Sequence, residues 1–524
     1  MKMISLTRLD TDDDDVNDSG VSTTPARVRA RKLSMCRQAL TSEQRLAQRR
    51  ISFIGTSKRP DSEPSEAISA LGTTRIQRLV TDMRECLAAL DCRASCQVLE
   101  SWACCVYESM SAPSRTFHSV QHVFDVAIGG EPIQKLAAFY HDIVYYSIDG
   151  GLNDTQSKNL CDVITVADDG VVAITVKEFD RNTAMTMDIF GFECGKILDP
   201  FKGLNEFLSA VLAVRSYEGH MKPFHLAQIA ACIEATIPFR HPDETGLRPE
   251  EALFSRLEKV NEKYDLGMEE EEIVLTVQLA ADLGNRDLAN FSTPERAVFL
   301  SNTWNLLPES NISLRNTTVF RISDFAFALK KMTGFFQFLD PEVIYLTFRE
   351  PKKEVLIARK TEIARANIEV ALRYMHCKRL SIAVVAAIAE LSGGDAPLAL
   401  FLGDLPERHH ISTSIEDHIY VDLPEEGVHL DIRVFELLND GRESESKFDI
   451  KNSPLAAYLY SLIGDEGLNK CLEYAVHPMD EGNARALLKS LPPVATTTIV
   501  EACAEIAITR KDALQKIIQF INVV

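Results

Sequence analysis

The chain has 524 residues, of which 46% are hydrophobic and 25% charged, and its formal charge at neutral pH is −20. This balance is typical of a folded globular protein of two or three domains, and it excludes collagen-like, purely coiled-coil and wholly disordered chains. Because the negative charge repels phosphate backbones and anionic lipids, we do not expect nucleic acid as a main partner.

The cellular setting can also be inferred. No apolar run reaches the roughly 18 residues that a membrane helix needs, and the start, MKMISLTRLDTDDDD, lacks the apolar centre of a signal peptide. The 12 cysteines are scattered rather than regularly spaced, which is typical of reduced thiols. These features predict a cytoplasmic protein that does not enter a membrane.

The chain begins with a segment, residues 1–74, that combines an acidic run with scattered basic residues and frequent Ser, Thr and Pro. This composition predicts a disordered tail. From residue 75 apolar residues recur every three or four positions, which predicts a helical domain over 75–376. Within it, β-branched residues such as Val172, Ile174 and Val176 alternate, so we predict a β-rich insertion at about 147–203.

The last part, residues 377–524, contains helical patterns at both ends and strand-like pieces, HIYVDL and VHLDIRVFEL, between them. This mixture predicts a C-terminal α+β region. The predicted fold class is therefore mainly α, with a small β insertion and this α+β region. The tail or the C-terminal region could provide a surface for a protein partner.

Candidate metal ligands are concentrated in residues 115–146. His118 and His122 are four residues apart, so they share one face of a helix. A Gly-Gly-Glu-Pro turn follows, and a second predicted helix ends at His141-Asp142. Asp282 follows a long apolar run that would carry it into the interior, where a carboxylate normally needs a cation or several hydrogen bonds.

These residues predict a divalent metal site formed by His122, His141, Asp142 and Asp282. Two imidazoles and two carboxylates suit Mn, Fe, Ni, Zn or Mg, as one ion or two. A bound ion would lower the pKa of water and offset charge on phosphoryl oxygens.

The order of these residues resembles the H…HD…D signature of the HD superfamily of metal-dependent phosphohydrolases. It is most similar to a group of predicted HD phosphohydrolases, and more distantly to cyclic-nucleotide phosphodiesterases. The resemblance extends over about residues 105–375. Its segments are PSRTFH with His122, YHDIVY at 140–145, NEFLSA at 205–210, IEAT at 233–236, ADLG at 281–284 and ARAN at 364–367.

The resemblance implies a helical HD-domain fold and hydrolysis of a small phosphorylated substrate. It implies that His118 protonates the leaving group, that Arg115 holds a phosphate oxygen, and that Glu206 orients a ligand or water. For Arg115 a salt bridge or cap is an equal alternative, and for Glu206 a structural role is the stronger one. A catalytically inactive HD-fold binding or regulatory protein is the alternative function.

Overall fold

The computed structural model describes residues 73–315, 319–404, 413–422, 424 and 427–522. The predicted N-terminal tail lies outside these residues, apart from positions 73 and 74. Residues Thr73–Val524 form one compact unit, and the unit is mainly helical, which confirms the mainly α prediction. Among the described residues, no helix is both long and apolar enough to cross a membrane.

The helices of the first half begin where the apolar spacing predicts them. Helix α1, for example, buries Leu79, Met83 and Leu87 on one face, and Thr74 caps its first turn. The helices before the strands are α1 (Arg75–Ala89), α2 (Cys96–Met110), α3 (Val120–Ala127), α4 (Pro132–Tyr140), α5 (Tyr146–Asp149) and α6 (Asp154–Leu160). Those after them are α7 (Arg181–Phe190), α8 (Leu204–Tyr217), α9 (Pro223–Glu234), α10 (Pro249–Lys263) and α11 (Glu270–Asp287).

The regular elements among the described residues of the second half are all helices. Its longer helices are α12 (Arg296–Trp304), α13 (Leu306–Ser310), α14 (Ile322–Phe338), α15 (Pro351–Gly393), α16 (Ala399–Leu402), α17 (Ile432–Asn439), α18 (Pro454–Leu472), α19 (Glu481–Ser490), α20 (Pro493–Ile506) and α21 (Lys511–Asn522). Short 3-10 turns lie at Ala289–Ser292, Ile312–Leu314, Pro341–Val343, Ile415–His418 and Ile508–Arg510.

The apolar interior consists of two clusters. The first runs from Leu79 to Leu283 and includes Phe348, and the second runs from Phe299 to Ile521. The predicted domain boundary at residue 376 lies inside α15, and the second cluster includes residues on both sides of it. The helices of 377–524 therefore complete a core that begins near residue 299 rather than forming a separate unit.

The predicted β-rich insertion contains more helix than strand. Its strands are only β1 (Ile164–Val166) and β2 (Val172–Ile174), which pair antiparallel with Ile164 opposite Ile174. Val172 and Ile174 are buried, as expected, but Val176 lies beyond the strand and is 78% exposed. The insertion also contains α6, α7 and most of α5, and the remainder is turns and irregular segments. Helix α7 forms because Asp180 caps its first turn where β-branched residues suggested a strand.

The prediction of strands in the C-terminal region is wrong for its described residues. The strand-like VHLDIRVFEL instead contributes most of α17, whose first turn is capped by the Asp431 side chain accepting from the Arg433 N–H. Four apolar residues of this helix are buried: Val434, Phe435, Leu437 and Leu438. Packing of this face on the second core outweighs the β propensity of isolated Val and Ile residues.

Candidate metal centre

The candidate metal ligands of the first half are positioned by the short helix pair α3 and α4. His122 lies on α3, and Gly129 adopts a left-handed conformation (φ 70°) in the turn between the helices. Pro132 starts α4, whose N-terminus is closed by reciprocal contacts between Glu131 and Gln134. Because α4 ends at Tyr140, the next two residues, His141 and Asp142, project from its C-terminal end.

One group of side chains among the described residues has the composition and spacing of a metal site: His122, His141, Asp142 and Asp287. One ligand atom from each lies within 4.8 Å of all the others. His122 Nε2 is 3.3 Å from Asp142 Oδ2 and 3.0 Å from Asp287 Oδ1. His141 Nε2 is 3.1 Å and 3.3 Å from the same two oxygens.

The structure corrects the fourth predicted ligand. Asp282 lies on another face of α11, is about one-third exposed and forms a 2.6 Å ion pair with Lys353. Asp287, five residues later, joins the cluster instead. Five residues rotate the position by about 140° around a helix, so only one of these two aspartates can point toward the histidines. The buried residues Ala280 and Gly284 lie on the same side of α11 as Asp287.

The electrostatics of the cluster are those of tightly paired acids and bases. Burial alone would lower the pKa of His122, but the carboxylates of Asp142 and Asp287 close to its Nε2 raise it to about 9. Burial would also raise the pKa of Asp287, yet the charge of His141 and the hydrogen bonds from both imidazoles hold it at about 2. The two carboxylates are therefore ionised, and each needs a positive partner.

The donor set fits a divalent cation. His122 Nε2 and Asp142 Oδ2 are buried and make no hydrogen bond of acceptable geometry with a described residue. Ligands about 2.1 Å from one ion are about 3.0–3.4 Å apart, and the measured separations lie close to this range. Two carboxylates would also balance the charge of the ion. The backbone oxygen of Ala138 lies 2.8 Å from His141 Nδ1, so this nitrogen carries the proton and Nε2 is left for the ion.

His118, the predicted proton donor, lies beside the cluster. It is not on the same helix as His122, as the four-residue spacing predicted, because α3 begins only at Val120. His118 is held by a residue that sequence reasoning missed. Its ring centroid is 5.4 Å from that of His122, and its Nδ1 is 2.6 Å from Oε2 of Glu309 on α13. The other carboxylate oxygen of Glu309 accepts three consecutive backbone N–H groups, from Thr116, Phe117 and His118, at 2.7–3.0 Å.

Glu309 is therefore a buried anion with fixed partners. Burial would raise its pKa, but the charge and hydrogen bond of His118 and the backbone N–H groups lower it below the usual value. An ionised Glu309 keeps the Nδ1 proton on His118. The Nε2 atom of His118 then remains as the ring nitrogen available to another group.

Glu206 lies on α8, near the ligands. Its neighbours in the helix hold the turn after Asp142: Ser209 Oγ accepts the Val144 N–H at 3.1 Å, and Asn205 Oδ1 accepts the Tyr146 N–H at 2.9 Å. Oε2 of Glu206 is buried and has no hydrogen-bond partner among the described residues. Burial, with added repulsion from Asp142, raises the pKa of Glu206 to about 8. Its unpaired oxygen marks a polar position next to the ligands.

Arg115 is not placed to bind a phosphate. Its side chain is fully buried and its guanidinium makes a two-pronged pair with Asp149, the closest distance being 2.6 Å. The same group donates to the backbone oxygens of Asp142 at 2.5 Å and Ile143 at 3.3 Å. All of its N–H groups are thus directed at protein atoms, Met110 Sδ included. The salt-bridge alternative is the one that the structure favours, and Arg115 positions the turn that carries Asp142.

Comparison of the chain with models of known protein families, with curated protein sequences and with solved structures gave no match. The site is therefore interpreted from its own geometry. The sequence identified three of the four clustered ligands and His118, whereas Asp287, Glu309 and Asp149 emerged only from the structure.

Proposed function

We propose that this chain is a metal-dependent phosphohydrolase that cleaves a phosphoester of a small molecule. The observation that carries the proposal is the buried group of two histidines and two aspartates with the His118–Glu309 pair beside it. The ions that suit these ligands are Mn, Fe, Ni, Zn and Mg. When bound by His122, His141, Asp142 and Asp287, such an ion would supply Lewis acidity toward water and toward phosphoryl oxygens.

The proton for the leaving oxygen would come from His118. Because Nδ1 is fixed by the ionised Glu309, a proton on Nε2 is the one that the ring can give up. The side chain is 16% exposed, so it is shielded from bulk water yet reachable by a bound substrate. This combination of a fixed ring and a single available nitrogen is what a general acid requires.

Glu206 would orient the attacking water. Its unpaired buried oxygen needs a hydrogen-bonding partner, and a water molecule beside the ligands would supply one. Arg115 would act only by holding the backbone of Asp142 and Ile143 in place. These assignments separate the residues that would contact water or substrate from those that position them.

The metal site is tested by a matched pair of substitutions on one helix, Asp287→Asn and Asp282→Asn. Elemental analysis after loading with Mn, Fe, Ni, Zn or Mg should show a bound ion in the wild-type protein and in Asp282→Asn. Asp287→Asn should lose at least ten-fold in affinity, because it removes one charged ligand. Equal metal content in both variants would overturn the assignment of Asp287.

The hydrolytic function is tested with the same proteins. Phosphomonoesters, phosphodiesters and nucleotides should be screened with each ion, and release of the leaving group should require both the ion and Asp287. Metal binding without hydrolysis of any substrate would instead favour the alternative function, a binding or regulatory protein that keeps the site without turnover.

A further inference from the structure

A cavity lies in the C-terminal half of the compact unit, among residues that the proposed function does not use. It is a groove between α14 and α15, closed on its third side by the segment 475–479. The groove is partly open to solvent, and its enclosed space is about 80 Å³, which admits only a small ligand or one end of a larger one. Ala326, Ala383 and Ala386 form part of its lining, and these small side chains leave room above the two helices.

Two cations that line this groove, Arg379 and Lys330, form no ion pair with an acidic residue in the described part of the chain. Arg379 is half-buried, and it makes no hydrogen bond, ion pair or ring contact with any described residue. Lys330 on α14 likewise lacks a hydrogen bond or ion pair within the described ranges. Burial lowers the pKa of Arg379 below its usual value, because removing water disfavours a guanidinium cation. Such a cation is normally compensated by an anion.

The acidic residues of the groove do not supply that anion. Asp395 already accepts from the Ser323 backbone N–H at 3.3 Å and hydroxyl at 2.7 Å, and it pairs with Arg321 at 3.4 Å. Glu390 lies eleven residues after Arg379 on α15, about 16 Å along the helix. The groove therefore has an acidic end, at Asp395 and Glu390, and a separate position where Arg379 remains uncompensated.

We propose that this groove binds a small organic anion whose carboxylate or phosphate group pairs with Arg379. A guanidinium presents a planar pair of N–H groups that matches two oxygens of either group. Lys330 adds a second positive charge, and the apolar body of the ligand lies against the alanine side chains. The acidic end disfavours a second negative charge there, so the ligand carries its charge at one end.

The test uses full-length protein that has been treated with a chelator, so that the metal centre holds no ion that could itself attract the probes. The probes are inorganic phosphate and butyrate, a monocarboxylate with an apolar body, compared with chloride at equal ionic strength. Binding is measured by calorimetry and by thermal shift in the wild type, in Arg379→Gln and in Arg359→Gln. Arg359 is a matched control because it is an exposed residue of the same helix, outside the groove.

Arg379→Gln should weaken binding of the preferred probe at least ten-fold, whereas Arg359→Gln should leave it unchanged. Stronger binding of phosphate would identify a phosphate-bearing ligand, and stronger binding of butyrate would identify a carboxylate. Because Arg379→Gln removes no hydrogen bond or ion pair to a described residue and relieves the burial of a charge, the variant should unfold at the same temperature as the wild type or higher. The proposal is overturned if neither probe binds more strongly than chloride, if both variants lose binding equally, or if Arg379→Gln alone melts well below the wild type.

Discussion

Replacing Gly284 with alanine should destabilise the protein, although alanine is the better helix former. Gly284 lies on α11 where this helix touches the end of α9, and an added Cβ would be 2.6 Å from the backbone oxygen of Ala235. An ordinary contact of this kind is at least 3.4 Å, so the two helices must move apart. Overpacking of this kind costs about 1–3 kcal/mol.

The gain in helix propensity offsets part of this cost. Glycine inside a helix is less stable than alanine by about 0.5–1 kcal/mol. The net loss for Gly284→Ala is therefore about 1 kcal/mol at mid-range values and at most about 2.5 kcal/mol. Gly334 on α14 is the matched control, because its added Cβ would meet no atom within 4 Å. Gly334→Ala should be stabilising by about 0.5–1 kcal/mol.

The Gly284→Ala substitution should also weaken ion binding at the proposed metal centre. Gly284 precedes Asp287 by three residues, so both lie on nearly the same side of α11, and a shift of the helix displaces the Asp287 carboxylate. The assay is thermal unfolding of both alanine variants with and without the divalent ion, together with calorimetric measurement of ion affinity. Gly284→Ala should melt lower and bind the ion more weakly than Gly334→Ala. Equal melting temperatures and equal affinities would refute the argument that close approach of α9 and α11 requires glycine.

Two further predictions concern single ionisable side chains. His118→Ala should slow hydrolysis of an alkyl or ribose phosphate by on the order of 10²–10⁴. It should spare an aryl phosphate, because that leaving group departs without a proton. Equal losses of rate on both esters, or loss of the metal, would contradict the acid role. In the second core, burial raises the pKa of Glu416 to about 7, against the opposing charge of Lys378. The neutral form is therefore favoured by folding, and this stability is present below about pH 4.5 and lost as the pH rises through 7. The difference in stability between Glu416→Gln and the wild type should therefore be larger at pH 8 than at pH 5, in favour of the variant, by on the order of 1–3 kcal/mol. Melting curves of both proteins at the two pH values measure it, and a difference that does not change with pH would show that burial does not shift the pKa of Glu416.

The sequence predicted the ligands that are close together along the chain and misassigned the one that is distant. His122, His141 and Asp142 belong to two short helices joined by a tight turn, so their spacing determines that they meet. Asp282 and Asp287 are both followed by leucine on one helix, and the choice between them depends on rotation. Val277, Ala280 and Gly284 are buried at intervals of three and four residues, and the next position in this series is 287 rather than 282. This periodicity therefore favours Asp287.

The strand predictions failed for a related reason. Short β-branched runs do not distinguish a strand from a buried helix, and the surrounding caps decide between them. In the insertion, Asp180 caps α7 and Gly191 ends it in a left-handed conformation, with φ 65°. If these two residues are given more weight than the β-branched run, the sequence predicts a helix over 181–190. Only the register of β1 with β2 required the three-dimensional structure.

Glu309 illustrates what local patterns cannot supply, because it lies 191 residues from the histidine that it holds. It belongs to α13, whose Leu307 packs in the second core, whereas the metal ligands are positioned by helices of the first core. The hydroxyl of Thr116, two residues before His118, also donates to the backbone oxygen of Asn305, at 2.5 Å. The second core, completed by the C-terminal helices, therefore fixes the orientation of His118 while the first core fixes the ligands. Loss of packing anywhere in the second core should consequently disturb His118 before it disturbs binding of the ion.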